Sequence, residues 1–253
     1  MNLLSIQVGG PQTHHTPDPN ARAAAARNAA ASETDLGWTS GIFKSAVDGP
    51  RWVGETNLDG DSQADRKNHG GPDKAICVYA HEHYAHWQRQ LGRELPTGAF
   101  GENFTTIGLL ESEMCIGDTL AIGDARDATH QVVVQLSQAR QPCWKLARRW
   151  QVADLVEQVQ NTGYTGWYFR VLHTGYVQAG DALHLRERPY PHLTLAEANR
   201  IMHHDKEDWE GVANLLACPL LSASWHSSLR RRVNLHAPAT VADRIYGRAA
   251  NMP

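Results

Sequence analysis

For much of its length the chain sets apolar and polar residues in alternation over short runs, each cut off by glycine, proline or aspartate. Lys74-Ala-Ile-Cys-Val-Tyr, Asn103-Phe-Thr-Thr-Ile, Gln131-Val-Val-Val-Gln-Leu, Tyr168-Phe-Arg-Val-Leu and Ala182-Leu-His-Leu are the clearest, and such short β-prone runs, some alternating and some wholly apolar, predict β-strands. Met1-Asn-Leu-Leu-Ser-Ile-Gln-Val is apolar too briefly for an export signal and reads as a first strand that ends at Gly9-Gly10-Pro11. Two stretches change to helical spacing, residues 81–91 and residues 144 to about 160. Many short strands with few long helices predict a mainly β fold with α, closed into a barrel or folded as a sandwich.

Beyond Pro189-Tyr190-Pro191 the pattern turns helical three times. Thr194 caps a segment through Met202, Asp205 precedes a second through Leu216, and Ser222 or Ser224 opens a third to about Val233. Residues 9–35, rich in Ala, Asn, Pro and Thr, lack the large apolar side chains that offset ordering entropy, so a flexible loop is expected, with at most a fraying helix over 22–31. The organisation is therefore an N-terminal strand and flexible Ala/Pro-rich insertion over 1–40, a β-rich domain over 41–188, three helices over 192–236 and a tail over 237–253. No internal repeat interrupts this order.

Composition narrows the function. The 253 residues suit one large domain or a domain with a small appendage. Four cysteines stand apart without a Cys-x-x-Cys pair, so neither a disulfide framework nor a cysteine-rich zinc site is indicated, and free thiols imply a reducing compartment, the cytoplasm. No stretch approaches the roughly 20 apolar residues of a membrane span. A net charge of −3, from 24 Lys+Arg against 27 Asp+Glu, argues against nucleic-acid binding. The run Arg230-Arg231-Arg232 reads as the charged face of a helix.

The most informative segment is Ser137-Gln-Ala-Arg-Gln-Pro-Cys-Trp-Lys-Leu, which places Cys143 at a strand-to-helix turn. Unpaired N–H groups at a helix start, with Arg140 and Lys145 alongside, favour thiolate over thiol, and a thiolate is both a nucleophile and a soft metal ligand. The opposing reading, a buried inert cysteine, has equal weight on local pattern. Cys77, Cys115 and Cys218 each sit in apolar runs and read as small core residues.

Around Gly60-Asp-Ser-Gln-Ala-Asp-Arg-Lys-Asn-His-Gly-Gly, acid, base, amide and imidazole crowd between glycines. This is either a polar turn or a ligand loop in which Asp61, Lys67 and His69 supply charges and protons. In Gly98-Ala-Phe-Gly-Glu-Asn-Phe, either Glu102 orients a ligand or Asn103 closes a turn. Arg170, inside an aromatic-rich strand, needs an anionic partner, which is either a protein carboxylate or a phosphate or pterin. His81-Glu-His-Tyr-Ala-His86 spaces its outer histidines five apart, out of register for the zinc-protease helix, and no Walker, nucleophile-elbow or dinucleotide fingerprint is present.

Five motifs in order, Gly41-Ile-Phe-Lys-Ser, Gly60-Asp-x-Gln-Ala-Asp with His69-Gly-Gly, Gly98-x-Phe-Gly-Glu-Asn, Arg140-Gln-Pro-Cys-Trp-Lys-Leu and Thr165-Gly-Trp-Tyr-x-Arg-Val, resemble the MOSC domain of YiiM-like proteins. The helices after Thr194 resemble the 3-alpha domain of the same group, and the resemblance spans about four fifths of the chain. Ala139 departs from the pattern where proline is expected, and the Ala-rich segment looks like an insertion.

The resemblance implies a β-barrel-like MOSC domain followed by a small three-helix domain. It also implies binding of molybdenum cofactor (Mo-pterin), with Cys143 as metal ligand. YiiM-like members are associated with detoxifying N-hydroxylated bases such as 6-N-hydroxylaminopurine. The expected function is therefore reduction of N-hydroxylated small molecules, with electrons from a separate reductase. In that scheme His69 donates protons, Asp61 or Glu102 orients it, and Lys44, Lys67, Asn103, Arg140, Gln141 and Arg170 hold the cofactor. Two rivals are a persulfide sulfur carrier on Cys143 and a non-catalytic cofactor carrier. The apolar faces of the helical appendage are expected to pack either on its own barrel or on a second subunit, the latter giving a homodimer.

Overall fold

The computed structural model describes residues 1–20, 37–65, 68–123, 131–236 and 242–246. Lys67 and most of the Ala-rich insertion lie outside the described residues.

The predicted alternation folds into strands β1 (Asn2–Val8), β2 (Gln12–His14), β3 (Trp38–Ser40), β4 (Ser45–Ala46), β5 (Arg51–Val53), β6 (Ile76–Ala80), β7 (Phe104–Ile107), β8 (Thr119–Ile122), β9 (Val132–Ala139), β10 (Trp167–His173), β11 (Gly175–Val177) and β12 (Leu183–Glu187). Eight of them form one sheet in the order β12-β8-β9-β10-β6-β7-β1-β4, while β5 pairs with β11 and β2 with β3. The sheet curls into a half-barrel whose edges meet. The Leu3 N–H donates to the Asp181 carbonyl at 2.9 Å and the Leu183 N–H to the Met1 carbonyl at 2.9 Å, with a bridge between Asn2 and Ala182. This joining covers edge N–H and C=O groups that would otherwise invite pairing with another chain.

β6 and β7 run parallel, which requires a crossover. It is supplied by a 3-10 turn at His81–His83, helix α1 (Tyr84–Leu91) and the turn at 98–102. The single helix expected over 144–160 is instead two, α2 (Trp144–Trp150) and α3 (Leu155–Thr162). Gln151, at φ 55°, ends α2 in a left-handed cap whose N–H bonds the Ala147 carbonyl. The break lets both helices bury their apolar sides, Leu146 and Ala147 on one and Leu155, Val156 and Val159 on the other.

Three C-terminal helices follow as α4 (Leu195–Asn199), which continues as a π-helical turn over Arg200–His204, α5 (Trp209–Ala217) and α6 (Ala223–Leu235). Thr194 and Ser222 cap as expected, accepting from the Glu197 N–H at 3.1 Å and the Trp225 N–H at 3.2 Å. The second cap is Asp208, not Asp205, accepting from the Gly211 N–H at 2.8 Å. The tail carries a further short helix, α7 (Ala242–Tyr246). Its Ile245 is buried, its Arg244 donates to the Pro142 carbonyl and to Gln160 Oε1 at 2.7 Å, and its Tyr246 hydroxyl meets Glu157 Oε1 at 2.5 Å.

Two apolar clusters organise the interior. One fills the barrel and runs on into the three helices through Leu195, Ile201, Leu215, Trp225 and Leu229. The other gathers Trp38, Tyr79, Trp87, Phe100, Leu146 and Val159 beneath α1, α2 and α3. Of the arginine run, Arg232 is buried and donates to the Ile201 carbonyl at 2.8 Å and the Met202 carbonyl at 3.0 Å, while Arg230 and Arg231 are exposed.

Candidate functional site

Where β9 gives way to α2, the chain lines a pocket whose other walls come from residues 40–44, residues 62–65 and 69–70, the 3-10 turn Pro72–Lys74, β6 and β10. Close approach of the loops depends on Gly41, where an added Cβ would collide with the Ser62 carbonyl. Four cations line the cavity, Lys44, Lys74, Arg140 and Lys145, together with Cys77, Cys143, His69, Asn103 and Tyr168.

Arg140 is only 6% exposed. Its backbone N–H is fixed to the Gly166 carbonyl at 2.9 Å, across a crossing so tight that a Cβ at Gly166 would strike the Val78 carbonyl. The guanidinium shares the cavity wall with Tyr168, and its Nη1 is buried without a hydrogen-bond partner. A buried, incompletely paired guanidinium is costly unless something else completes it. Ala139, in the position where proline is expected, is buried and pairs with Trp167, so the strand continues to the edge of the pocket.

Cys143 is a half-buried free cysteine that N-caps α2 without any side-chain hydrogen bond. Cys77, read from sequence as core, is 8% exposed yet lines the same cavity, and burial pushes its thiol pKa up to about 11. Lys74 and Tyr168 were equally hidden from sequence reasoning. The Lys74 ammonium donates to the Asn68 carbonyl at 3.0 Å, burial lowers its pKa, and it stands 5.9 Å from the Tyr168 ring centre. Burial also raises the Tyr168 pKa.

His69 faces the pocket, but its ordinary pKa does not survive there. Burial first, then Lys145, Lys74 and Arg140, lower it to about 4, so the imidazole is neutral at pH 7. Neither Asp61 nor Glu102 orients it. Asp61 is ion-paired with Lys44 and accepts from the Gly9 N–H at 3.0 Å and Gln63 Nε2 at 3.2 Å. Glu102, fully buried, accepts from the Tyr84 hydroxyl, the Gly98 N–H at 2.8 Å, the Phe100 N–H at 3.0 Å and the Thr105 hydroxyl at 3.0 Å. Both carboxylates are occupied in building the loops.

Asn103 clamps strands: its Oδ1 accepts the Cys77 N–H at 3.1 Å and its Nδ2 donates to the Gln7 carbonyl at 3.3 Å. Gln141 is not among the lining residues. Arg170 turns away as well, with Asp73 Oδ1 at 2.7 Å and Gln135 Oε1 at 3.0 Å. Of its two sequence readings, the protein carboxylate holds. Within the His81–His86 motif the inner histidine is structural, because His83 Nε2 pairs with Glu111 Oε2 at 2.7 Å and its ring stacks on Tyr164 at 3.9 Å. Among the described residues no cluster of three or more His, Cys, Asp or Glu is placed to hold a metal.

Residues 65–184 match the MOSC domain family and residues 193–235 match the YiiM-like, 3-alpha helix domain family. Protein YiiM of Escherichia coli (strain K12) is 38% identical over 199 residues, spanning 78% of this chain and 85% of that protein. The chain belongs to the YiiM-like MOSC family. The crystal structure of YiiM from Geobacillus stearothermophilus has the same fold, with a TM-score of 0.71 at 34% identity over 92% of this chain and 98% of that one. A protein of Gibberella moniliformis (strain M3125 / FGSC 7600) named "Reductase" is 35% identical over 167 residues, which cover 65% of this chain and 28% of that protein. Among the described residues, no helix of this YiiM-like chain is long and apolar enough to cross a membrane.

Proposed function

We propose that this chain binds molybdenum cofactor in the Arg140–Cys143 pocket and reduces N-hydroxylated bases or related N-hydroxy compounds. The observation that carries the reading is the buried Arg140 Nη1 without a partner, in a cavity it shares with Lys44, Lys74, Lys145 and the free Cys143 thiol. Among the acids near these cations, Asp61 is held by Lys44, and Asp65 accepts the Asn68 N–H at 3.2 Å and its side-chain amide at 2.8 Å. Such a cavity suits an anionic ligand that also offers a metal to a soft sulfur, as a phosphorylated metal–pterin does.

Cys143 would ligate the metal, and Arg140, Lys44 and Lys74 would hold the anionic portion. When bound, the cofactor supplies two-electron chemistry that accepts the oxygen of an N–O bond. His69, at the pocket wall, would donate a proton from its imidazolium form, which ligand negative charge would favour by offsetting the three cations that lower its pKa. Electrons come from outside, since the sequence carries no flavin, haem or iron–sulfur motif. The Reductase of Gibberella, most of whose length lies outside the match, supports a reductase pairing.

A second reading, sulfur transfer through a Cys143 persulfide, draws on the same half-buried thiol. A carrier without turnover predicts metal and no reaction. Elemental analysis of protein from a host that makes molybdenum cofactor, wild type against Cys143→Ser, separates them. Near-stoichiometric molybdenum that the variant loses, with N-hydroxypurine turnover driven by reduced methyl viologen, is expected. Metal without turnover identifies the carrier. No molybdenum in either protein sinks the reductase reading and turns attention to cyanide-labile sulfur on Cys143.

A further inference from the structure

We infer that the open groove beside α6 is the docking surface for a small acidic electron-carrier protein. The inference rests on the reductase reading above and names its partner. The groove, about 1100 Å³, lies between the 3-10 turn Pro72–Lys74, β10 and α6. Arg170, His226, Arg230 and Arg231 line it above the apolar Leu221 and Leu235.

Its acid, Asp73, is already taken by Arg170 and by the Ala223 N–H at 2.8 Å. Arg230 and Arg231 are exposed, with no hydrogen-bond or ion-pair partner among the described residues. On a chain of net charge −3 the groove is thus a local reversal of sign, which steers an acidic surface toward it. Electron-transfer encounters need only a small interface, and an exposed leucine beside a basic rim suits one.

Position strengthens the case. Asp73 faces the groove and Lys74, the next residue, faces the cofactor pocket. Consecutive Cα atoms stand about 3.8 Å apart, so a single turn of chain separates the two cavities. That wall is held in place, because the Ser137 hydroxyl donates to the Asp73 carbonyl at 2.5 Å and the Ser222 and Ser224 hydroxyls bond Gln138 Oε1 at 2.7 and 2.8 Å. A carrier docked against α6 would deliver electrons to the back of the pocket.

The test uses the full-length, molybdenum-loaded protein and an N-hydroxypurine. Turnover is driven either by reduced methyl viologen or by an acidic ferredoxin or flavodoxin kept reduced by its NADPH-dependent reductase, in wild type and in Arg230→Glu/Arg231→Glu. The expected result is a carrier-driven kcat/KM at least about tenfold lower in the variant at low salt, with viologen-driven turnover unchanged. Salt should slow the wild type with the carrier but leave the variant flat. Equal carrier-driven rates overturn the proposal, as does failure of both carriers on a wild type that viologen drives. A matching loss with viologen, or a changed oligomeric state in the variant, also overturns it by assigning the groove to structure or to a second copy of the chain. Absence of viologen-driven turnover in the wild type overturns the reductase reading itself.

Discussion

The turn at 98–102 and the turn at 140–143 both wall the pocket, the first through Gly101 and the second through Arg140 and Cys143. In the first, Glu102 accepts hydrogen bonds from two backbone amides and two hydroxyls, so its carboxylate has no capacity left for a ligand. In the second, the thiol caps nothing and one guanidinium nitrogen is unpaired in a buried place. Both turns are polar and glycine- or proline-bearing in sequence. What distinguishes them is whether their polar groups are satisfied within the protein: the satisfied turn is scaffold, and the unsatisfied one is prepared for something that arrives later.

The sharpest challenge to this contrast is Glu102→Gln, which replaces an acceptor-only group with an amide that meets four donors. Urea unfolding should show a loss of about 2–4 kcal/mol, and a loss under about 1 kcal/mol would erase the distinction between the turns. Arg140→Met is the complementary change. Its fold should be as stable as wild type or more so, because an incompletely paired buried charge is removed, while molybdenum content should fall at least about tenfold, equivalent to about 1.4 kcal/mol.

Acid provides a subtler test through His69. Its folded pKa of about 4 lies below the ordinary histidine value of 6.5, so between these values the unfolded chain binds more protons. Stability should then drop as pH falls from about 6.5 toward 4, by on the order of 1 kcal/mol after allowance for partial solvent access. His69→Gln should flatten that slope, measured by denaturation at several pH values. Smallest is Arg244→Ala, which frees the Pro142 carbonyl beside the cysteine. It should cost about 1 kcal/mol in urea unfolding.

Strand positions and two of three helix caps were legible because each depends on local chemistry: alternation for the sheet, and Thr194 and Ser222 accepting from N–H groups three residues on. Lys44, His69, Arg140 and Cys143 were found through charge and motif order and do converge. Partnerships across the fold were not legible. That Arg170 would meet Asp73, 97 residues earlier, is tertiary information. Cys77 looked like core because Ala75-Ile-Cys-Val is uniformly apolar, although the strand that carries it turns one side chain to the pocket. The helix at 242–246 lacks internal periodicity and is held by contacts to Pro142, Gln160 and Glu157.

The joined edge of the half-barrel also sets an order of events during synthesis. β1 finds the two-residue β4 close by in sequence, but its longer partner β7 begins at residue 104 and the residues that seal its outer edge lie at 181–183. The Asn2–Ser5 half of β1, partly apolar, therefore has no strand partner until β7 has been made, and its outer edge stays open until residues 181–183. Such long sequence separations make folding slow and leave early intermediates prone to aggregation, so nascent chains halted before residue 180 should be the ones that chaperones retain.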